Sequence, residues 1–384
     1  MLFLILTNIR FLKVAGIAQT LFSFADFIQK DKAAKDIKLI GVNVENNLKN
    51  NGQAIILKKQ GKNFQIISVV MPVPNIKETV KKSASINDVE KEYEPLIKTY
   101  FSIIIKEKPD LVLLNGTYYL PWCLYLAAKR AGVKTAIHYH GCLTKETAHF
   151  AKHQRFIFHE MEKMFFSNDN KYIFPSQMAK ETVTSEVFKK EIKHFCILPN
   201  PISLHFFSAV KSKKKSKRIG SIGRWTYVKN PHFIEKFAVY NARQAKNFTI
   251  HIVTNIDAVA RLPLKILDIV KITKPMDSYK LPNFYSKMDT IICPSHFETY
   301  GNVAQEAVAS GTPALITQTM GVAETFRRFG LEKWIIDFSS PSKVAKAMEI
   351  AINETVDSAL RMDMQEKLNP SKIHGLLLEY IRRN

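Results

Sequence analysis

Cys293-Pro294-Ser295-His296-Phe297-Glu298-Thr299-Tyr300-Gly301-Asn302-Val303-Ala304-Gln305-Glu306-Ala307 closes an apolar run that begins at Thr290. The run predicts a strand, residues 294–300 a polar loop, and Gly301 the opening of a helix. The first N–H groups of any helix have no intrahelical acceptor and lie at its positive dipole end, so this start would suit a phosphate. Gly301 would let a ligand approach the backbone, because it has no side chain to hold it off. Glu298 precedes the helix and Glu306 lies one to two turns inside it, so two carboxylates could reach two parts of one extended ligand. Spacing alone does not decide this. Glu324 and Glu332 are also eight apart, and the pair could equally be a helix-start carboxylate and a solvated helix residue.

The same alternation recurs along the chain. Short apolar runs bounded by turn residues predict strands at residues 2–6, 38–44, 54–58, 64–71, 111–114, 135–138 and 172–174. In the second half they fall at 218–222, 249–253, 270–272, 290–293, 313–316 and 334–336. Between them, helical patterns cover 16–29, 89–106, 120–131, 144–166, 303–310 and 341–352, with a closing helix at 371–383. Runs apolar throughout, alternating with helices, imply α/β architecture with parallel, doubly wound sheets covered on both faces. Pro199-Asn200-Pro201 blocks helix and central strand alike, and the lysine-rich run 211–217 is too charged to bury. The boundary is placed there: residues 1–200 form one domain together with 371–384, and residues 201–370 form the second. Ligands of such sheets sit at the carboxyl ends of the strands.

A second strand–loop–helix unit, Ile219-Gly220-Ser221-Ile222-Gly223-Arg224-Trp225-Thr226-Tyr227-Val228-Lys229-Asn230-Pro231, sets Arg224 and Lys229 beyond the second domain's first strand. Arginine can grip phosphate oxygens with two parallel bonds, and lysine supplies a mobile point charge. Two solvated cations would read the same way. In the first half, Gly16 opens a helix after Asn8, and the strand 135–138 runs into Tyr139-His140-Gly141.

With 384 residues, the chain is long enough for two cores without covalent staples. Its 4 cysteines show no metal-knuckle or redox spacing, which argues against a secreted disulfide scaffold or structural zinc. No span is apolar enough to cross a bilayer, and the apolar start lacks a basic lead or a cleavage site, so it reads as a first strand of a cytoplasmic protein. The net charge of +22 divides evenly, +11 in residues 1–200 and +11 in 201–384. Anionic ligands, an acidic membrane surface, nucleic acid and a lysine-rich composition bias all agree with that surplus.

Taken together, the segments resemble the retaining glycosyltransferases of family 4, which have the GT-B fold: two Rossmann-like domains facing across a cleft, with a C-terminal helix returning to the first. Glu298 through Ala307, continuing to Ala309-Ser310-Gly311-Thr312-Pro313, is similar to that family's glutamate-seven-residues-glutamate signature. Gly223-Arg224 with Lys229-Asn230 resembles its diphosphate loop, and Gly16-Ile17, His140-Gly141 and Pro199-Asn200-Pro201 match further landmarks in order. The resemblance implies a hexosyl-type transfer from a nucleoside-diphosphate sugar to a saccharide or glycolipid hydroxyl, in cell-envelope polysaccharide or lipopolysaccharide synthesis. Arg224 and Lys229 would hold the diphosphate, beside Gly223. Glu306 would bond the ribose and Glu298 the sugar hydroxyls, while backbone amides near Tyr300, Gly301, Asn302 and Val303 would meet the inner phosphate. His140 would lie near the anomeric centre, and Gly16 would let the first helix approach. It also implies front-face attack with the departing phosphate taking the proton. No metal and no cofactor are expected, since two cations and a helix end can replace a divalent ion. Two departures, Ala15 where the family pairs two glycines and the lack of acceptor ligands in the first loop, leave the acceptor open.

Residues 144–166 interleave Lys145, Lys152, His153, Arg155 and Lys163 with Phe150, Phe156, Phe158, Phe165 and Phe166. Such a stretch would suit peripheral contact with an anionic inner membrane face, or a packed helix with a solvated side. The competing readings are another GT-B activity, such as a nucleotide-sugar epimerase or sugar phosphorylase, a partner-binding scaffold, and a basic nucleic-acid-binding protein. The last lacks any zinc-finger or RNA-binding aromatic signature, so no nucleic-acid partner is expected.

Overall fold

The computed structural model describes residues 3–9, 16–46, 55–60, 63–210, 216–244, 246–255 and 269–383, without the side chains of 16–18 and 55–60. The chain divides into two units. One comprises Met1–Pro175, Ala179–Leu198 and His374–Asn384; the other comprises Ser176–Met178 and Pro199–Ile373.

In chain order the first unit holds β1 (Phe3–Ile9), α1 (Gly16–Lys30), β2 (Ile37–Asn46), β3 (Ile55–Gln60), β4 (Phe64–Met71), α2 (Ile76–Lys82) and α3 (Ile86–Glu107). It continues with β5 (Leu111–Asn115), α4 (Tyr119–Arg130), β6 (Thr135–His138), α5 (Leu143–Glu146), α6 (Lys152–Lys163) and β7 (Lys171–Phe174). After α7 (Gln177–Thr182), which straddles the division, comes β8 (Phe195–Ile197). Among the described residues the strand order is β3-β4-β2-β1-β5-β6-β7-β8, parallel except for β3 against β4. Every residue of β5 and of β6 is buried, as a strand covered on both faces requires.

The second unit holds β9 (Arg218–Ile222), α8 (Pro231–Arg243), β10 (Thr249–Val253), β11 (Val270–Thr273), α9 (Leu281–Lys287) and β12 (Thr290–Cys293). It ends with α10 (Asn302–Ala309), β13 (Ala314–Ile316), α11 (Val322–Arg328), α12 (Pro341–Ala351) and α13 (Ser358–Leu368). Its sheet runs β11-β10-β9-β12-β13, all parallel. The final helix, α14 (Pro370–Arg382), begins in the second unit and from His374 belongs to the first. There Leu377, Leu378 and Ile381 pack into one core with Ile5, Phe24, Ile28 and Leu111.

Three sequence expectations are corrected. The single helix over 144–166 is two, α5 and α6, because the buried carboxylate of Glu162 accepts the N–H groups of Leu143 and Thr144 at 2.8 and 2.7 Å. A straight helix would hold Leu143 and Glu162 about 28 Å apart, so the chain turns back at Thr147–Phe150. Residues 334–336 are not a strand: Glu332–Trp334 forms a 3-10 turn and only one bridge, Ile316 with Ile335, follows. The strand expected at 54–58 lies antiparallel, as β3. Part of two other expectations, residue 2 and the lysines of 211–215, lies outside the described residues.

Gly220 in β9 lets α9 settle on the sheet. A Cβ there would lie 2.5 Å from Ile291 Cδ1 and 3.0 Å from Met288 Cγ, both buried. Gly220→Ala should therefore cost about 1–3 kcal/mol through overpacking, read as a lowered urea midpoint at unchanged slope.

Candidate active site

In the second unit, two loops at the carboxyl ends of neighbouring strands β9 and β12 are tied to one another. Asn230, in the left-handed region at φ 51°, caps α8 by accepting from Phe233 N–H and donates its amide to Pro294 O at 3.1 Å. The N–H of His296 donates to Val228 O at 2.8 Å. This register brings Lys229, on the 3-10 turn Tyr227–Lys229, to Glu298. The Lys229 ammonium donates to Glu298 Oε2 at 2.5 Å, and the buried Ser295 hydroxyl donates to Oε1 at 2.5 Å. Both oxygens of Glu298 are thus held. Gly223 lies alongside: a Cβ there would meet the aliphatic stem of Lys229 at 3.6 Å. Arg224 is exposed just beyond β9.

Gly301 opens α10 at φ +119°, where a Cβ would be strained and would also lie 2.5 Å from Met320 Cε. The helix closes with Gly311 at φ +83°, whose N–H donates to Val308 O while Thr312 N–H donates to Ala307 O, a glycine-terminated helix end. Of the residues expected to line the helix start, Tyr300 points its ring inward, its hydroxyl bonding Gln305 and Thr325. Only its backbone is available to a ligand. The Asn302 side-chain oxygen accepts from Asn200 at 2.8 Å, and Gln305 donates to Asn200 O, anchoring the Pro199-Asn200-Pro201 segment to the helix start. Val303 packs half-buried on the core.

Glu306 is not a solvated helix residue. It is buried, with Oε2 accepting from the Tyr285 hydroxyl at 3.0 Å. Burial pushes its carboxyl up to about 7, against the opposing pull of Tyr285 and Lys229. Glu324, which shares the eight-residue spacing with Glu332, instead accepts from the N–H groups of Gln177 and Met178, within the same unit.

In the first unit, His140 follows β6. Its Nε2 pairs with Asn115 Oδ1 at 2.7 Å, at the end of β5. Asn115 is itself clamped by Asn8: its N–H donates to Asn8 Oδ1 at 2.8 Å, and Asn8 Nδ2 donates to its carbonyl at 3.1 Å. The His140 ring lies 3.9 Å from that of His138. Burial lowers His140 to about 4 and holds His138 well below the usual imidazole range, so both rings are neutral at pH 7. Gly141 sits against the Glu146 carboxyl: a Cβ there would lie 2.3 Å from Glu146 Oε1 and would displace that side chain. Gly16 opens α1, and residues 10–15 before it are outside those described.

The structure thus gathers Gly223, Lys229, Glu298, Glu306 and the Gly301 helix start in one unit, and places His140 and Gly16 in the other. Sequence reasoning missed Ser295, Tyr285, Asn115 and Glu162. Asn115, a polar residue ending an apolar strand, carried a signal. The other three were ordinary residues until the fold paired them.

The family model described as Glycosyl transferases group 1 matches residues 205–368, and that described as Glycosyltransferase Family 4 matches residues 74–206. The chain belongs to the group 1, family 4 glycosyltransferases. Among relatives of this glycosyltransferase is D-inositol 3-phosphate glycosyltransferase 2 of Catenulispora acidiphila, 39% identical over 70 residues, which are 18% of this chain and 16% of that protein. The corresponding enzyme of Acidothermus cellulolyticus is 33% identical over 101 residues, 26% of this chain and 21% of that one. The matched stretches therefore span about a fifth of those relatives' length. Among solved structures, sucrose-phosphate synthase from Thermosynechococcus elongatus has a TM-score of 0.75 at 14% identity, covering 99% of this chain and 98% of that one. A glycosyltransferase from Rickettsia africae has 0.65 at 16%, covering 100% and 99%. At such identities the likeness speaks for fold, and the fold is GT-B.

In the segment after His140, burial pushes Glu162 up to about 7 despite four hydrogen bonds from Cys142, Leu143 and Thr144. A carboxyl whose folded value is raised contributes stability below its unfolded value near 4.5, and that contribution is lost as pH rises toward 7. Relative to Glu162→Gln, which does not titrate, the glycosyltransferase should lose stability across that window by at most about 1.4 kcal/mol per pH unit. Denaturant unfolding of both proteins at pH 4.5, 5.5 and 7 measures the difference.

Proposed function

We propose that this glycosyltransferase moves a sugar, with retention, from a nucleoside-diphosphate sugar to a hydroxyl acceptor. The observation that carries the reading is the convergence of Lys229, Glu298 and Glu306 beside a glycine-opened helix start. As the sugar–phosphate bond breaks, negative charge gathers on the departing diphosphate and positive charge on the ring. Lys229, Arg224 and the amides at the start of α10 stabilise the leaving group. Such preorganised donors each contribute roughly 10²–10³ in rate. Glu298 and Glu306 accept from sugar and ribose hydroxyls respectively, and His140, neutral at pH 7, serves the sugar's outer hydroxyl. Retaining glycosidases use a second carboxylate as nucleophile; front-face attack, with the leaving phosphate accepting the acceptor's proton, dispenses with it. The two cations and the helix end take the part of a divalent metal.

Lys229→Ala and Glu298→Ala should each lower nucleoside-diphosphate release in the presence of acceptor by about 10²-fold or more, while EDTA should leave the unmodified protein's rate unchanged. Near-normal release by either variant removes its assigned role, and release that needs no acceptor favours an epimerase.

A saccharide or glycolipid of the cell envelope is the acceptor class, and an anionic membrane surface the setting. α2 and α6 are joined by the His153 ring on Ser83 O at 2.6 Å. They expose Lys77, Lys81, Lys82, Lys152 and Arg155, together with Phe156, which is 58% exposed. Cations near an anionic bilayer contribute about 1 kcal/mol each. No helix among the described residues is long and apolar enough to cross a membrane. Binding to phosphatidylglycerol vesicles should fall steeply with salt and be absent on phosphatidylcholine; salt-insensitive binding rules this surface out.

A further inference from the structure

We propose that Tyr285 is a positioning residue for the nucleotide ribose: its hydroxyl holds one oxygen of Glu306, so that the other oxygen is set to accept from the ribose diol. The inference rests on the ribose-binding reading of Glu306 and adds a residue that neither the glutamate spacing nor the diphosphate loop indicated.

The geometry is specific. Tyr285 lies on α9, which packs against α10, and its ring is fully buried beside Phe206 and Phe284. Its backbone carbonyl accepts from Thr312 Oγ1 at 2.7 Å, and the surrounding core leaves the ring no room to rotate away. The hydroxyl donates to Glu306 Oε2 at 3.0 Å. A carboxylate has four acceptor directions on two oxygens. Committing Oε2 to a fixed donor leaves Oε1 as the free acceptor, at an orientation set by the core rather than by solvent. The phenol stays protonated at any working pH, because burial and the facing carboxylate both raise it.

Several ionisable groups on elements packed against α10 are engaged elsewhere. His205 bonds Ser278, Glu324 bonds Gln177 and Met178, and Arg361 of α13 donates to the carbonyls of Ala309, Phe207 and Ala209. The Cys293 thiol of β12, pushed up to about 12 by burial, is neutral. Lys229 alone acts on Glu306 through space, in the same sense as Tyr285. Removing the phenolic hydroxyl therefore takes away the nearest group that favours the charged form. Glu306 then ionises only at higher pH, and a protonated carboxyl is a poorer acceptor for the ribose diol.

The test is calorimetric titration of UDP, ADP and GDP into wild type, Tyr285→Phe and Glu306→Gln at pH 6.5, 7.5 and 8.5, with inorganic pyrophosphate, which has no ribose, as the control. The nucleotide that binds wild type best should bind Tyr285→Phe about tenfold more weakly at pH 6.5, with most of the loss recovered at pH 8.5. Pyrophosphate affinity should be unchanged. Glu306→Gln should bind the nucleotide weakly at every pH. If Glu306→Gln weakens the nucleotide but Tyr285→Phe has no effect, or an equal effect at all three pH values, the positioning role fails while the ribose reading stands. If Glu306→Gln binds as wild type does, or no nucleotide binds wild type, the ribose reading falls and takes this inference with it.

Discussion

A carboxylate withdrawn from water must find partners, and in the second unit that requirement is met twice in one short stretch. Glu298 is held between an ammonium and a hydroxyl, while Glu306 is held by one phenol. The first arrangement balances charge with charge. The second leaves a carboxyl poised between its two protonation states near neutrality. Much of the local architecture serves these pairings. Asn230 must adopt a left-handed conformation and bond Pro294 for Lys229 to arrive, and Gly220 must lack a side chain for the helix bearing Tyr285 to sit on the sheet. The chemistry is built by packing, and the packing tolerates few substitutions.

The first unit solves the same problem differently. Glu162 is sealed away without any cation and is satisfied instead by amide and hydroxyl donors at the start of α5. That makes it a clasp for the segment after His140. Asn115 holds the histidine ring, and Asn8, from the adjacent strand end, clamps Asn115 in turn. Burial keeps that ring uncharged at neutral pH, so it meets a ligand as a hydrogen-bonding group rather than as a cation.

What could be read in the sequence was what depends on local pattern. Strands 64–71, 135–138, 218–222, 249–253 and 290–293 coincide with the observed bounds; 135–138 and 290–293 are buried throughout, as parallel strands that are apolar without alternation should be. The glycine-opened helix was legible for the same reason: a backbone constraint names its residue. Pairings across distant segments were not legible. Nothing in the neighbourhood of Tyr285 or Glu162 distinguishes it from other residues of its type, and the break inside 144–166 depends on a contact nineteen residues along the chain. The outcome at Trp334 has a similar origin. Its apolar neighbours resemble a strand, yet the indole N–H is engaged by Glu354 and the segment offers only one bridge to β13.

The return of α14 to the first unit has a consequence for how the protein comes into being. Leu377, Leu378 and Ile381 complete a core begun by Ile5 and Phe24, so this lobe is closed only after the second unit between those segments has been translated. While the ribosome is still making the intervening residues, the apolar faces of β1 and α1 wait uncovered, a state in which nascent chains are most prone to aggregate. The second unit's core, by contrast, draws on a nearly continuous stretch of chain and can close as soon as that stretch emerges. The second unit is thus translated whole before the first is closed, and α14 acts as the first unit's fastener.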